Sequence, residues 1–202
     1  MLEEVFPYFE YGSLVFALIF YKKYKEYPFY KFFLIYLINI VLINILSSTI
    51  FIKNNHELFN IYTFFEFNIF ALIYYYLISD NKTIRLLKIL ALIFNALYIV
   101  SFFIIELEKL IVSIEAIFNS IFIILYFREL LTSDKVLNYR KLLPFWISVG
   151  FLIFYLTTIP FFTLLYFDYF NSIIKPYMLH FFIIVFHLCL IYGLVTCKKQ
   201  ED

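Results

Sequence analysis

The sequence predicts an all-α membrane protein, a bundle of seven transmembrane helices with its N-terminus outside and its C-terminus in the cytoplasm. Three observations carry that expectation. The 202 residues are 64% hydrophobic and only 15% charged, against roughly 45–50% and 25% in an average soluble domain. Seven apolar runs approach the ~20 residues that a helix needs to cross a ~30 Å hydrocarbon core. Basic residues alternate between crowded and sparse connections, the pattern of a multi-pass chain obeying the positive-inside rule.

The first span, about 6–21, is short and carries Glu10. It follows Glu3 and Glu4 with no basic leader segment or small-residue cleavage site, so it reads as a retained anchor and not as a removed signal. The second span, 32–52, contains no Asp, Glu, Lys or Arg. The third, 58–79, is interrupted by Glu66, and the fourth, 86–105, becomes free of charge from Ile89. The fifth, 110–127, is interrupted by Glu115, whereas the sixth, 144–167, and the seventh, 176–197, carry no charge. All are apolar on every side, which excludes the alternating ten-residue strands of a membrane barrel. The longest connection, 128–143, has 16 residues, so the chain is expected to be a single polytopic membrane domain over 1–202.

Orientation follows from the basic residues. Lys22, Lys23, Lys25 and Lys31 follow the first span, Lys82, Arg85 and Lys88 the third, Arg128, Lys135, Arg140 and Lys141 the fifth, and Lys198 and Lys199 the seventh. The other connections hold only Lys53, Lys109 and Lys175. The crowded side is the cytoplasm, and the expected location is the cell inner (cytoplasmic) membrane.

Composition removes several functions. Gly12, Gly150 and Gly193 are the only glycines and lie far apart, so no phosphate-cradling loop or dinucleotide fingerprint can form. Cys189 and Cys197 share one apolar run, which excludes a disulfide framework and a cysteine zinc site of ordinary spacing. The net charge of +1 gives no basic field for nucleic acid. No cofactor and no nucleic-acid partner is expected.

Polar side chains inside spans are costly and mark either tied helices or a cavity. At 1.5 Å per residue, Glu66 lies roughly 12 Å and Glu115 roughly 8 Å below the outer boundary, with Asn44, Asn68, Asn95 and Asn119 at roughly 12–15 Å. Glu10 falls close to the boundary and reads as interfacial. His180 lies nearer the outer surface and His187 near the midplane, while the inner half of the bundle holds almost no such group. Tyr62 with Glu66, and Glu115 with Asn119, are i,i+4 pairs that share a face, and His180 and His187 share another. These residues could line an outward-open cavity for a small cationic or hydrogen-bonding ligand, or a proton path. The plainer alternative is that amides and protonated glutamates tie helices together at about 0.6 kcal/mol per bond.

Two histidines on one helix about 10 Å apart cannot clamp one haem. No lysine in the seventh span means no retinal Schiff base. His180, Glu66 and Glu115 lack the spacing of a bundle metal site, and none is assigned. Pro160, preceded by Thr157 and Thr158, is expected to kink the sixth helix as a hinge or a fixed bend, with the hydroxyls satisfying freed carbonyls. Without small-xxx-small motifs the helices are expected to pack through large side chains, Tyr74, Tyr75 and Tyr76 among them. Trp146 reads as an interfacial anchor. The inner loop 128–143 presents Arg128, Lys135, Arg140 and Lys141, either as a solvated connector or as a face for a cytoplasmic partner.

Tyr62-Thr63-Phe64-Phe65-Glu66-Phe67, then Phe145-Trp146-Ile147 with Gly150 and Leu152-Ile153-Phe154-Tyr155, then Leu179-His180 form a set of short motifs. Together they resemble those of uncharacterised seven-helix bacterial integral membrane proteins of about this length. The resemblance implies no activity, and it directs attention to Glu66 and His180. The leading functional expectation is a sensor or receptor-like protein with an outward-facing polar pocket. It would signal to a cytoplasmic protein, with the lipid bilayer and a second copy of the chain as further candidate partners. The alternatives are a proton- or ion-coupled carrier or pore using Glu66 and Glu115, an accessory scaffold without a ligand, and an intramembrane lipid-modifying enzyme with a Glu/His acid–base pair.

Overall fold

The computed structural model describes residues 2–49, 56–166 and 175–197, and its regular elements are all helical. They are α1 (Leu2–Ile19), α2 (Tyr21–Tyr24), α3 (Pro28–Thr49), α4 (His56–Leu77), α5 (Asn81–Ser101), α6 (Ile105–Thr132), a 3-10 segment (Asp134–Lys141), α7 (Leu143–Tyr166) and α8 (Lys175–Thr196). The six helices α3 to α8 are long and apolar enough to cross a bilayer, and α1 contributes a shorter apolar stretch, Val5–Ile19. The chain is a helical membrane protein.

Several helices outrun the apolar segments that announced them. α3 starts at Pro28, four residues before the expected boundary, because proline suits a first helical turn where no amide partner is needed. α5 starts at Asn81 and not at 86, since the Asp80 carboxylate accepts from the Thr83 amide at 2.9 Å and the Thr83 hydroxyl at 2.7 Å. α6 runs 28 residues, extending beyond 110–127 at both ends. Hydropathy marks where hydrocarbon stops; caps and good helix formers such as Lys, Glu and Arg decide where the helix stops. The expected span ends at 52 and 167 lie outside the described residues. One correction follows: Arg128 belongs to the last turns of α6 and not to the connecting loop.

The helices close into a ring. α1 packs on α3 and α8, α3 on α4, α4 on α6, α6 on α7, and α7 on α8. α5 stands outside, against α4 and α6, and its buried residues Leu87, Phe94, Tyr98 and Ser101 form one stripe. The outer surface carries exposed Leu18, Ile38, Phe65, Leu92, Ile124 and Leu188, side chains suited to lipid and not to water. Large aromatic contacts hold the interior, among them Phe67 stacked on Phe94 at 3.8 Å between centroids and Phe70 edge-on to Phe151 at 4.7 Å.

Packing through large side chains is not the whole account. At the α7–α8 seam a Cβ on Gly193 would lie 2.7 Å from the Trp146 Cβ, and one on Gly150 would lie 3.1 Å from the Cys189 Cβ. One glycine on each helix therefore permits close approach, without the same-helix spacing that sequence motifs require. α7 continues as an α-helix through Pro160 to Tyr166. The Thr157 hydroxyl bonds the Ile153 and Phe154 carbonyls and the Thr158 hydroxyl that of Tyr155. These lie one to three residues before the Leu156 carbonyl that Pro160 frees.

At the opposite end of the bundle the connections are tied down. Glu129 accepts the Ser79 amide at 2.7 Å and the Asp80 amide at 3.3 Å, pinning the α4–α5 turn to α6. Trp146 Nε1 donates to the Arg140 carbonyl at 2.9 Å. Lys23 Nζ and the Tyr24 hydroxyl both donate to the Cys197 carbonyl at the end of α8, a cation placed where the helix dipole favours it.

Candidate functional site

A cavity of about 510 Å³ occupies one half of the ring interior, inside the range of small-molecule sites. Every helix of the ring lines it, and α5 does not. Its mouth is formed by the start of α1, the end of α3, the start of α4, the end of α7 and the start of α8, with Phe6, Ser47, Phe59, Phe162 and Leu179 around it. Its walls are mainly apolar, and its polar groups are concentrated in three places.

The first place is Glu66, near the middle of α4 and buried. Its Oε1 accepts from the Tyr36 hydroxyl of α3 at 2.9 Å and from the Tyr155 hydroxyl of α7 at 3.1 Å. The Tyr62 hydroxyl, one turn earlier on α4, also hydrogen-bonds this carboxyl. Several hydroxyl donors from three helices on one carboxyl are what a charge-bearing acceptor needs in a dry interior. The second place is Glu115 of α6, buried, bonded by Asn119 Nδ2 at 3.4 Å and within electrostatic reach of Glu66. The third lies nearer the mouth, where Asn44 Nδ2 of α3 donates to Glu10 Oε2 of α1. Beside it the buried His187 shares a hydrogen with the Ser13 hydroxyl at 2.8 Å, and the His180 ring stacks on Phe6 at 4.3 Å.

Below the carboxyls the ring is filled. Tyr36 and Phe70 meet Phe151 edge-on, at 5.0 and 4.7 Å, and Phe186 lies 5.0 Å from Phe151. One turn further along α4 the Tyr74 hydroxyl donates to Ser148 at 2.9 Å. The cavity therefore opens toward one end of the bundle and stops at an aromatic layer.

Of the residues singled out from sequence, Glu66, Glu115, Asn44, Tyr62, His180 and His187 line this cavity. Asn68 and Asn95 do not, because they form a reciprocal amide pair at 3.1 and 3.2 Å that ties α4 to the outlying α5. Asn119 sits behind Glu115 and supports it from the same helix. Glu10, two turns into α1, is buried and also lines the cavity. Tyr36 and Ser13 carry no sequence signal beyond membership of aromatic or apolar runs, and Tyr155 appears there only as the end of a motif. Lys135, Arg140 and Lys141 are exposed on the 3-10 segment and Arg128 on α6, all at the far end of the molecule from the cavity mouth. Among the described residues no three His, Cys, Asp or Glu side chains converge as metal ligands.

Comparison with protein-family models, with curated proteins and with solved structures yields no match to this chain.

Proposed function

We propose that the chain crosses the cell inner membrane seven times, N-terminus outside and C-terminus in the cytoplasm, and that the cavity is an outward-facing ligand site. Occupancy of the site would be passed to a cytoplasmic partner through the connections at the closed end. The single observation carrying this reading is a one-sided cavity of about 510 Å³, floored by two carboxyls and sealed beneath by an aromatic layer. α1, with 18 residues, extends about 27 Å, close to hydrocarbon thickness, and supplies the seventh crossing. The mouth lies at the end whose connections hold only Lys53, Lys109 and Lys175 among the 16 basic residues, which the positive-inside rule assigns to the exterior. The closed end carries the exposed Lys135, Arg140 and Lys141, available to a partner.

The test is accessibility of Ile43, which lines the cavity. In a variant with Cys189 and Cys197 replaced by alanine, Ile43→Cys should react in intact cells with a membrane-impermeant thiol reagent added outside. Reaction only in inverted vesicles would overturn the outward orientation, and no reaction in either would overturn the open cavity.

A second reading, a proton- or ion-coupled carrier, is favoured by the closeness of Glu66 and Glu115 at the cavity floor. It requires the aromatic layer to open, and it predicts a titratable flux in proteoliposomes that Glu66→Gln abolishes.

A further inference from the structure

The chemistry of the cavity names a class of ligand. Among the described residues its lining holds three carboxyl groups, Glu10, Glu66 and Glu115, and neither lysine nor arginine. An anion entering it would meet carboxyl oxygens on the floor and near the mouth, and no lysine or arginine among the described lining residues to pair with. A purely apolar molecule would fill the walls but leave the carboxyls with no new polar partner. A cation with an apolar body satisfies both. The floor also offers Tyr36, Tyr62 and Tyr155, whose hydroxyls hold the Glu66 carboxyl. The carboxyl pair and the three hydroxyls lie at the floor, Glu10 and Asn44 lie nearer the mouth, and around the mouth four large apolar side chains, Phe6, Phe59, Phe162 and Leu179, accompany Ser47.

We infer that the cavity binds an organic ammonium compound, head down, with its charged nitrogen at the Glu66–Glu115 floor and its apolar body toward the mouth. This rests on the cavity being an open ligand site, as proposed above. Glu66 acts as counter-ion, and Tyr36, Tyr62 and Tyr155 position that carboxylate. Glu10, held by Asn44 nearer the entrance, attracts the cation during entry. The head-down arrangement makes the site tolerant of a longer apolar body and intolerant of bulk added on nitrogen.

The experiment uses the full chain in nanodiscs, with Cys189 and Cys197 replaced by alanine and Ile43→Cys as the reporter, labelled with uncharged N-ethylmaleimide. Labelling itself reports an open cavity. Protection is then measured with three probes of similar shape: 2-phenylethylamine, 2-phenylethanol and 3-phenylpropionate. The expected result is that the amine slows labelling at least fivefold at concentrations where the alcohol and the carboxylate do not. Glu66→Gln should weaken that protection at least tenfold, and 4-phenylbutylamine should protect as well as the shorter amine. Equal protection by amine and alcohol, or no protection by the amine in a cavity that still labels, would overturn the cation assignment while the open cavity stands. Absence of labelling would instead remove the ligand site on which the inference rests. Because the probe series is run on a chain with Glu66 intact, the assignment is decided even if Glu66→Gln fails to fold.

Discussion

A carboxyl inside a helical bundle survives only where neighbours replace the water it has lost, and Glu66 shows how that is done with tyrosines alone. Tyr36 and Tyr155 reach its Oε1 from two other helices, so each bond also clamps α4 to a neighbour. Hydrogen bonds to charged groups contribute about 1.5–3 kcal/mol. Tyr155→Phe, which removes the hydroxyl and keeps the ring, should therefore lower stability by about that amount in detergent unfolding measurements. Conversion of Ser148 to alanine, opposite the neutral Tyr74 hydroxyl at the aromatic layer, should cost no more than about 0.5–1.5 kcal/mol. The amide pair Asn68–Asn95 belongs to the weaker class again, and a double-mutant cycle to alanine should return a coupling of about 0.6 kcal/mol. Sequence could mark all of these side chains as anomalies in hydrocarbon, but not sort them. Asn68 and Glu66 lie two residues apart, and only the direction each takes from α4 decides which one reaches the cavity. That Glu10 faces the cavity was not legible, because its neighbours come from α3 and α8, far along the chain.

At the scale of helices, existence was legible and ends and seams were not. Runs such as 144–167 and 176–197 correspond to α7 and α8 almost residue for residue, because charge and hydrocarbon boundary coincide there. α5 differs because its first three residues, Asn81 to Thr83, are polar and its start is set by the Asp80 cap. Hydrogen bonds from Thr83, side chain first and then backbone, hold the Asp80 carboxyl below its ordinary value of 3.8. A depressed folded-state value means that the cap's contribution is present above that ordinary value and is lost as pH falls through the lower one. Amide exchange at Thr83, corrected for its intrinsic rate, should stay protected from pH 8 to pH 5 and lose protection only below the ordinary aspartate range. Asp80→Ala should remove that protection at every pH. The α7–α8 seam was invisible to motif reading because Gly150 and Gly193 lie on different helices. Gly193→Ala places a Cβ 2.7 Å from the Trp146 Cβ, an atom fixed to backbone, whereas one on Gly12 would meet only the Ile191 Cδ1 at 3.9 Å. Overpacking of that kind costs about 1–3 kcal/mol. Gly193→Ala should accordingly lower the unfolding temperature in detergent, and Gly12→Ala should leave it unchanged.

For the molecule as a whole, hydropathy supplies spans but no neighbours, since lipid-facing and ring-facing helices look alike when both are apolar throughout. Nothing in the run 86–105 announces that α5 stands outside the ring, or that α1 and α8 close it. What the sequence does carry is an asymmetry of charge, and the ring converts it into an asymmetry of shape. The helix ends that flank the sparse connections line the cavity mouth, and the crowded connections lie at the end where Glu129, Trp146 and Lys23 form their hydrogen bonds. If thirteen of the 16 basic residues hold that end in the cytoplasm, a reporter active only in the cytoplasm should give signal when fused after the C-terminus. It should be silent when inserted in the connection 50–55, between the ends of α3 and α4 that line the mouth. Replacing Lys82, Arg85 and Lys88 by glutamine removes three of the thirteen and should leave both signals unchanged, because Lys22, Lys23, Lys25 and Lys31 still anchor the first crowded connection. Signal from the insertion at 50–55 in the unaltered chain would place the mouth in the cytoplasm, and the cavity would then sample ligands from inside the cell.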